Sequence, residues 1–515
     1  MSKLGTLILG DTYRDSVFLM QLSSKVEKEA GVELASAMSG TDRNKDLFAD
    51  SGLSTEEVQN ALPDDLIIAV RADTEENLAK ALKRAEELLK ETNKEEAVGE
   101  RKIERLEQAV EAVEGLNLAL ISVAGDFAKY EAAKAVNLGL NVMLYSDNVP
   151  LEAELKIKEM AHEKGLLVMG PDCGTSIING VPLAFANEVR RGPIGIVGAS
   201  GTGIQEVTVL IDRYGGGISH AIGTGGRDPK AEIGGITMLD ALQLLQDDPQ
   251  TEVILIVAKP PAKVVEEKIS AFIKACPKAV VVNYAGEADD STVTPFGGFY
   301  GHSLEEAAML ALEKAGVKHE MPELFSDLDC AQLETELKAL PATAKYFRGI
   351  YGGGSLCYES MFLIKQNLDL PLHSNTPLEG VQALADVHKS VENLFLDMGE
   401  DEFTQGKPHP MIDPTTKVRR LIEEAKDPEV AVILTDCVIG YGSYEDPAGM
   451  LAEALSELEQ KPIVIASVCG TEADFQKHSA QVKKLQEQGV HVCRSNREAA
   501  LLTVEVMKKL EKERA

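Results

Sequence analysis

The stretch Gly192-Pro-Ile-Gly-Ile-Val-Gly-Ala-Ser-Gly-Thr-Gly-Ile-Gln-Glu-Val-Thr-Val-Leu-Ile-Asp-Arg-Tyr-Gly215 decides the fold of the region around it. Its apolar run at 194–197 predicts a short buried strand, and the apolar positions from Ile204 onward predict one side of a helix. Between them, residues 198–203 contain three glycines, a serine and a threonine. The order of strand, tight turn and helix start is the repeating unit of a parallel α/β sheet.

The turn of this unit has the chemistry of an anion site. Backbone N–H groups at a helix start are unpaired and carry roughly half a positive charge, so they attract phosphate or carboxylate. Ser200, Gly201, Thr202 and Gly203 are therefore candidate phosphate-binding residues. The turn lacks the lysine of a Walker loop and the spacing of a dinucleotide fingerprint, and a glycine turn without a ligand fits it as well.

Length and charge limit the classes of function. A chain of 515 residues predicts three or four domains, and its hydrophobic share of 44% is enough for full cores. The net charge of -31 repels nucleic acid and anionic lipid, and the absence of tryptophan argues against stacking on single strands. We expect neither a nucleic-acid nor a membrane partner, and an anionic substrate needs local donors.

Cysteine usage and apolar runs indicate the compartment. The seven cysteines are odd in number, scattered and without Cys-x-x-Cys or Cys/His spacing, so neither a disulfide framework nor a metal site is predicted. The N-terminal apolar run is too short for a signal peptide, and no run of about 18 apolar residues occurs. We expect a cytoplasmic protein.

Alternating strand and helix patterns along the chain predict a multidomain α/β protein. Residues 1–95 are interpreted as a small α/β module of ferredoxin-like type, and the charged run at about 91–114 as a solvated linker helix. The pattern in residues 115–190 predicts a Rossmann-like domain. Residues 191–325 and 342–515 predict two further α/β domains with doubly wound parallel sheets, which bind ligands at the carboxyl ends of their strands.

A second glycine turn lies in the last domain. The segment Arg348-Gly-Ile-Tyr-Gly-Gly-Gly-Ser-Leu-Cys-Tyr-Glu359 repeats the layout of strand, turn and helix start. Its Gly353, Gly354 and Ser355 are the corresponding candidates for phosphate binding.

Four side chains in polar loops and at strand ends are candidates for catalysis or substrate binding. His409 lies between Pro408 and Pro410 in a rigid polar loop, and Lys407, two residues before it, is grouped with it. His409 is a candidate general base or carbonyl polariser, with a structural role as the alternative. Arg227 can clamp a carboxylate bidentately, and its alternative is an ion pair with Asp228. Lys259, at a strand end, is a weaker candidate of the same kind.

Several segments resemble known proteins. The region from about Asn117 to Gly316 resembles the α subunit of succinyl-CoA synthetase. The matching segments are Met169-Gly-Pro-Asp-Cys-Gly174, Gly195-Ile-Val-Gly-Ala-Ser-Gly-Thr202, Ile222-Gly-Thr-Gly-Gly-Arg-Asp-Pro229 and Ile236 to Val257. The segment from about Tyr346 to Met507 is similar to the C-terminal domain of the β subunit. This resemblance implies a CoA-binding-like domain and two flavodoxin-like domains, whose helix starts face each other across one phosphate.

The fusion of these regions in one chain resembles the FdrA family, together with Thr12-Tyr-Arg-Asp-Ser16 and Gly406-Lys-Pro-His-Pro-Met-Ile-Asp-Pro414. That resemblance implies a subunit of an oxamate carbamoyltransferase. Such an enzyme interconverts oxalurate plus phosphate with oxamate plus carbamoyl phosphate, in allantoin and purine breakdown. Its partners are small anionic substrates, separately encoded subunits and further copies of the chain.

The alternative function is an NDP-forming acyl-CoA synthetase, which uses CoA and a nucleotide. In the ligase, a histidine in the motif Gly-His-Ala-Gly-Ala carries the phosphate. Its nearest counterpart is His302 in Tyr300-Gly-His-Ser-Leu-Glu305, the candidate phosphohistidine, although the small residues that follow it in the ligase are missing. The N-terminal module also lacks the glycine loop that holds CoA in the ligase. A third hypothesis is a scaffold subunit whose partner carries out the chemistry.

Overall fold

The structure of this chain is a computed structural model that describes residues 2–10, 12, 14, 16–95, 103–321, 323–326, 328–405 and 407–514. Its strands form four sheets, and helices pack against them. The predicted class, a multidomain α/β protein with doubly wound parallel sheets, is confirmed. The N-terminal module differs from the rest because its sheet is antiparallel.

The N-terminal module has a single three-stranded sheet. Its elements are β1 (Lys3–Leu9), α1 (Ser16–Glu27), β2 (Val32–Ser39), α2 (Asp42–Asp50), α3 (Glu56–Asn60), β3 (Leu66–Ala72) and α4 (Glu75–Glu95). The strand order β1-β3-β2 matches the first three strands of a ferredoxin-like sheet. One face of the sheet is covered by α1 and α4, whose Leu22, Val26 and Ala85 are fully or almost fully buried.

The second domain is a small parallel sheet in the order β4-β5-β6. Its elements are α5 (Leu106–Ala112), β4 (Leu118–Ile121), α6 (Gly125–Asn137), β5 (Asn141–Leu144), α7 (Leu151–Glu163) and β6 (Val168–Met169). The structure differs from the predicted single linker helix. The helices α4 and α5 are separate, and Leu106 and Val110 of α5 pack against the core of this domain. Residues 96–102 of the predicted linker lie outside the described residues.

The third domain has a seven-stranded sheet in the order β13-β12-β11-β9-β10-β7-β8. Its elements are β7 (Thr175–Ile178), β8 (Val181–Ala184), β9 (Arg191–Gly198), α8 (Gly201–Arg213), β10 (Ile218–Gly223), α9 (Ile236–Asp247), β11 (Val253–Ala258), α10 (Lys263–Ala275), β12 (Ala279–Tyr284), β13 (Phe299–Tyr300) and α11 (Leu304–Lys314). The strands are parallel except for the hairpin β7-β8 at one edge. The strand order reverses at β9, which has β10 on one side and β11 on the other.

The fourth domain has a fully parallel sheet in the order β16-β15-β17-β14-β18-β19-β20. Its elements are α12 (Cys330–Ala339), β14 (Tyr346–Tyr351), α13 (Gly354–Asn367), β15 (Leu372–Ser374), β16 (Gln382–Ala383), β17 (Asn393–Asp397), α14 (Asp401–Thr404), α15 (Thr415–Ala425), β18 (Val430–Val438), α16 (Pro447–Ser456), β19 (Ile463–Cys469), α17 (His478–Glu487), β20 (His491–Cys493) and α18 (Asn496–Arg514). Here the order reverses at β14, between β17 and β18.

One apolar core joins the third and fourth domains. It contains Ile196 and Ile204 from the third domain and Leu356 and Ile465 from the fourth, all fully or almost fully buried. Polar contacts reinforce this junction, since Asn496 donates its backbone N–H to Glu206 at 3.1 Å. The shared core places the two reversal points side by side. In the described part of the chain, no helix is both long and apolar enough to cross a bilayer.

Candidate functional site

The starts of α8 and α13 meet at the junction of the third and fourth domains. Ser200 is the residue before α8, and Ser355 is the second residue of α13. Their Oγ atoms lie 2.5 Å apart, within hydrogen-bond distance. A Cβ added to Gly353 would lie 3.0 Å from Cγ2 of Thr202, so glycine permits this close approach. The two glycine turns that the sequence singled out are therefore in direct contact.

A cleft of about 1160 Å³ opens at this contact. Residues of all four domains line it, from Met20 in α1 to Ile412 in the fourth domain. Its lining includes the following candidates from the sequence: Ser200, Gly201, Thr202, Arg227, Gly354, Ser355, Lys407 and His409. Gly203 and Gly353 lie beside the cleft without lining it, and they pack against Ser200 and Thr202 respectively.

The backbone of the second glycine turn is held by a buried carboxylate. Asp436, in β18, accepts the N–H of Gly352 at 2.9 Å and the N–H of Gly353 at 2.7 Å. Lys417 in α15 compensates its charge, because its Nζ contacts Asp436 Oδ1 and the backbone oxygen of Asp436. The N–H of Gly353 is thus engaged within the protein, and Gly354 and Ser355 are the residues of this turn that face the cleft.

His409 is positioned as a hydrogen-bond donor. Its Nδ1 accepts the N–H of Met411 at 3.2 Å, so the proton of the neutral ring resides on Nε2. Nε2 lies against the backbone of Gly399, where an added Cβ would come within 2.6 Å. Burial lowers the pKa of His409 to about 4, so the ring is neutral near pH 7. Of the two roles considered for it, this arrangement favours carbonyl polarisation over general-base catalysis.

Arg227 and Lys407 line different parts of the cleft. Arg227 is anchored by a 2.8 Å ion pair with Glu154 and by a 2.8 Å hydrogen bond to the carbonyl of Val149. Asp228, its expected alternative partner, instead pairs with Lys158 at 2.7 Å. Lys407 is exposed. The anchored guanidinium of Arg227 is thus held in a fixed orientation at the cleft wall.

None of the six carboxyl groups among the described residues that line the cleft was singled out from the sequence, and two of them have strongly raised pKa values. Asp172 follows β6, and Asp397 is the last residue of β17. Desolvation is the main cause that raises the pKa of both carboxyl groups, to about 6 for Asp172, which is exposed at the cleft, and to about 7 for Asp397, which is buried. The signal available in the sequence was their position at the carboxyl ends of parallel strands, where α/β sheets bind ligands. Acidic residues are common in this chain, so position alone did not separate them from surface residues.

His302 lies outside the cleft lining. It is exposed, its backbone N–H donates to Glu306 at 2.8 Å, and its ring centroid lies 5.1 Å from that of Tyr300. The next residue, Ser303, caps α11 by accepting the N–H of Glu306. The helix therefore begins two residues after His302, and its cap follows His302 directly.

Three sequence families match parts of the chain. Residues 1–106 match "AllF, heavy metal-associated domain", residues 189–286 match "CoA binding domain" and residues 350–506 match "CoA-ligase". The metal named by the first family does not fit the residues present. The N-terminal module contains no cysteine, and the described residues contain no group of three His, Cys, Asp or Glu side chains arranged to hold a metal ion.

Relatives extend over both the whole chain and its ligase-like part. The protein YahF of Escherichia coli (strain K12) is 43% identical over 506 residues, which cover 97% of this chain and 98% of YahF. The succinate–CoA ligase [ADP-forming] subunit alpha 1 of Archaeoglobus fulgidus is 30% identical and covers 41% of this chain and 74% of that subunit. The corresponding subunit alpha of Aquifex aeolicus is 30% identical, with 39% and 68% covered.

Among solved structures, PH0766 from Pyrococcus horikoshii OT3 is 16% identical with a TM-score of 0.33, and the match covers 78% of this chain and 86% of that chain. The acetyl-coenzyme A synthetase 1 of Ca. Korarchaeum cryptofilum is 16% identical with a TM-score of 0.30, with 79% and 85% covered. The sequence matches to YahF and to the succinate–CoA ligase α subunits show that this chain belongs to the YahF family, a branch of the succinyl-CoA synthetase-like CoA ligases.

Proposed function

We propose that this chain is the phosphate-binding subunit of an oxamate carbamoyltransferase of the FdrA type. The reaction interconverts oxalurate plus phosphate with oxamate plus carbamoyl phosphate, as part of allantoin and purine breakdown. One observation carries the proposal: Ser200 and Ser355 join two helix starts in the cleft, whereas His302 lies outside the cleft lining. The site keeps the elements that bind an acyl phosphate and lacks a phosphohistidine at that position.

The phosphate group would bind between the two helix starts. The backbone N–H groups of residues 201–202 and 354–355 are donors at two helix starts, and whichever hydroxyl of the Ser200–Ser355 pair does not donate to the other is a further donor. Such donors hold a phosphate dianion in spite of the net charge of -31, because they act at short range in a partly buried cleft. Carbamoyl phosphate and succinyl phosphate are both acyl phosphates, so the same phosphate-binding site can hold either.

The reaction is an attack of a phosphate oxygen on the carbamoyl carbon of oxalurate. His409 would donate its Nε2–H to the carbamoyl oxygen as negative charge develops there, and such a donor contributes about 3 kcal/mol to lowering the barrier. Arg227, fixed by Glu154, and Lys259, on the same cleft, would bind the carboxylate of the oxamate half. Lys407 would add positive charge at the cleft mouth.

The second candidate is an NDP-forming acyl-CoA synthetase, which the comparisons favour. Family matches to "CoA binding domain" and "CoA-ligase", and the succinate–CoA ligase α subunits among the relatives, support it. The second domain would then hold CoA, since Val123, Ala124 and Tyr145 line the cleft. The charged groups that this wall brings to the cleft are Asp147 and Asp172, which would repel the pyrophosphate of CoA.

One experiment separates the two candidates. The chain is combined with its separately encoded partner subunits and assayed for oxamate-dependent release of phosphate from carbamoyl phosphate. In parallel, CoA is titrated calorimetrically, and the protein is incubated with ATP labelled in its γ-phosphate. The carbamoyltransferase predicts transfer, no CoA binding and full activity of the His302→Ala variant. CoA binding together with a stable label that His302→Ala removes would overturn the proposal and establish the ligase.

A further inference from the structure

Asp397 occupies a fixed position at the end of β17. Its backbone N–H donates to Asn375 Oδ1 and its carbonyl accepts from Asn375 Nδ2, both at 2.9 Å. The carboxyl oxygen Oδ1 accepts the N–H of Gly399 at 3.0 Å. The residue is buried and yet lines the cleft. Both its main chain and one carboxyl oxygen are therefore anchored.

The other carboxyl oxygen of Asp397 points at the start of α13. An added Cβ on Gly354 would lie 2.4 Å from Oδ2, a distance that only glycine tolerates. Oδ2 has no hydrogen-bond partner among the described residues. Gly354 is followed by Ser355, whose hydroxyl contacts Ser200. Oδ2 is thus a free carboxyl oxygen beside the proposed phosphate-binding site.

The charged groups around Asp397 come from three elements. Glu400 and Asp436, from its own domain, raise its pKa, and Lys259, from the end of β11, lowers it. Lys259 is held in place by Tyr358 of α13, with its Nζ 4.6 Å from the ring centroid. Burial outweighs Lys259, and the pKa of Asp397 is raised to about 7. The protonated acid avoids the repulsion that a carboxylate would exert on phosphate.

We propose that Asp397 is the residue that carries the proton in the transfer reaction. The inference rests on the proposed carbamoyltransferase function. During phosphorolysis, an oxygen of HPO₄²⁻ forms a bond to the carbamoyl carbon, and the bond from that carbon to the oxamate nitrogen breaks. Asp397 gives its proton to the departing nitrogen and then takes the proton of the attacking phosphate. Oxamate and carbamoyl phosphate leave, and the acid is restored.

His409 and Asp172, two other titratable side chains that line the cleft, suit this role less well. His409 has its Nδ1 engaged by Met411 and carries its proton on Nε2, so it is a stationary donor. Asp172 follows β6 of the second domain and lies near Asp147, Glu400 and Arg227. The Asp172→Asn variant is therefore the matched control for Asp397→Asn, because both changes remove one cleft carboxyl without a change in size.

The test compares the two variants in the complete complex. Asp397→Asn keeps an oxygen for the N–H of Gly399, so we expect it to fold and to bind inorganic phosphate within about threefold of the wild type. Its rate of transfer should fall by about 10²- to 10⁴-fold, as is usual when a general acid or base is removed. The wild-type rate of phosphorolysis should decline above about pH 7, and this decline should vanish from the residual activity of Asp397→Asn and persist in Asp172→Asn.

Three outcomes contradict the inference in different ways. If the wild type transfers carbamoyl groups and Asp397→Asn does so within about threefold, or retains the decline above pH 7, Asp397 is not the proton carrier although the proposed function stands. If the decline is lost in Asp172→Asn instead, the role belongs to Asp172. If the wild-type complex shows no transfer at all, the proposed function is wrong and this step falls with it.

Discussion

The hydroxyl oxygens of Ser200 and Ser355 lie 2.5 Å apart, although 155 positions separate the two residues in the sequence. Each serine lies at the start of the helix that follows the strand at which the strand order of its sheet reverses. In doubly wound sheets, ligands bind at such reversal points. Two sites of this kind have therefore merged into one cleft, and a ligand between them meets two positive helix ends.

We expect Ser200→Ala and Ser355→Ala each to weaken binding of inorganic phosphate by about 10- to 100-fold. A hydrogen bond to a charged group is worth about 1.5–3 kcal/mol, which corresponds to this range. Ser200→Leu and Ser355→Leu should abolish binding, because leucine would occupy the space of the anion. Isothermal titration calorimetry measures the effect, with the exposed Ser456→Ala as control. Unchanged affinity in both alanine variants would show that phosphate binds elsewhere.

His409→Gln should lower the rate of transfer by about 10²- to 10³-fold, the usual effect of removing one oxyanion donor. Affinity for inorganic phosphate should be unchanged, because the proposed contacts to phosphate come from the helix starts. Steady-state kinetics and calorimetry on the same preparation separate the two effects. A large loss of phosphate affinity with an unaltered rate would instead place His409 in the binding site.

His409 also predicts a pH dependence of stability. Burial lowers its pKa from 6.5 to about 4, so the unfolded chain binds more protons between these values. The free energy of unfolding therefore decreases as the pH falls from about 6.5 toward 4, and the titration of His409 does not change it above about pH 6.5. The loss is roughly 3 kcal/mol at most. Urea unfolding at pH 7.5 and pH 4.5 should show a smaller change for His409→Gln than for the wild type, and equal changes would contradict the burial argument.

Asp436→Asn should reduce the free energy of unfolding by about 3–5 kcal/mol, because it leaves the buried Lys417 without a counter-charge. Asparagine also cannot accept both N–H groups that Asp436 now accepts. Urea denaturation measures the loss. In the double variant Asp436→Asn/Lys417→Met, the uncompensated charge is gone, so at least half of the stability should return. A double variant no more stable than Asp436→Asn would refute the pairing argument.

Ser24→Leu should impair catalysis from the N-terminal module. Ser24 in α1 donates a hydrogen bond to Asp413, at the end of the loop that carries His409, and Met20 on the same helix lines the cleft. Leucine removes that bond and separates the two surfaces, so we expect kcat/KM to fall about tenfold and hydrogen exchange of residues 407–413 to rise. Lys80→Leu, on the exposed face of α4, is the control. Equal exchange in both variants would show that α1 does not position the loop.

Regular elements with a strong apolar pattern were predictable from the sequence. The strands Leu66–Ala72, Val253–Ala258 and Ala279–Tyr284 can be recognised from the sequence, since each is a mostly apolar run between polar turns. The helix Lys263–Ala275 and the hairpin at 175–184 were not predicted. The hairpin strands are short and join the sheet edge only through antiparallel pairing with β10, which is a tertiary contact.

The candidate site was predictable only in part, for the same reason. Glycine turns after apolar strands are local signals, so Ser200 and Ser355 could be named in advance. Asp397 and Asp436 could not, because their importance depends on burial and on which backbone N–H groups lie nearby. The choice between the two roles predicted for His409 likewise depends on a tertiary contact, because its Nδ1 accepts the N–H of Met411.

By itself, the sequence determined the α/β class, the repeating strand and helix units and the two glycine turns, because these depend on hydrophobic periodicity and backbone freedom over a few residues. Only the tertiary structure decided that the two turns touch, that a carboxyl of raised pKa lies beside them and that His302 stands outside the cleft lining. Such relations arise from the packing of one sheet against another. No pattern along a single segment specifies the distance between residues that far apart in the chain.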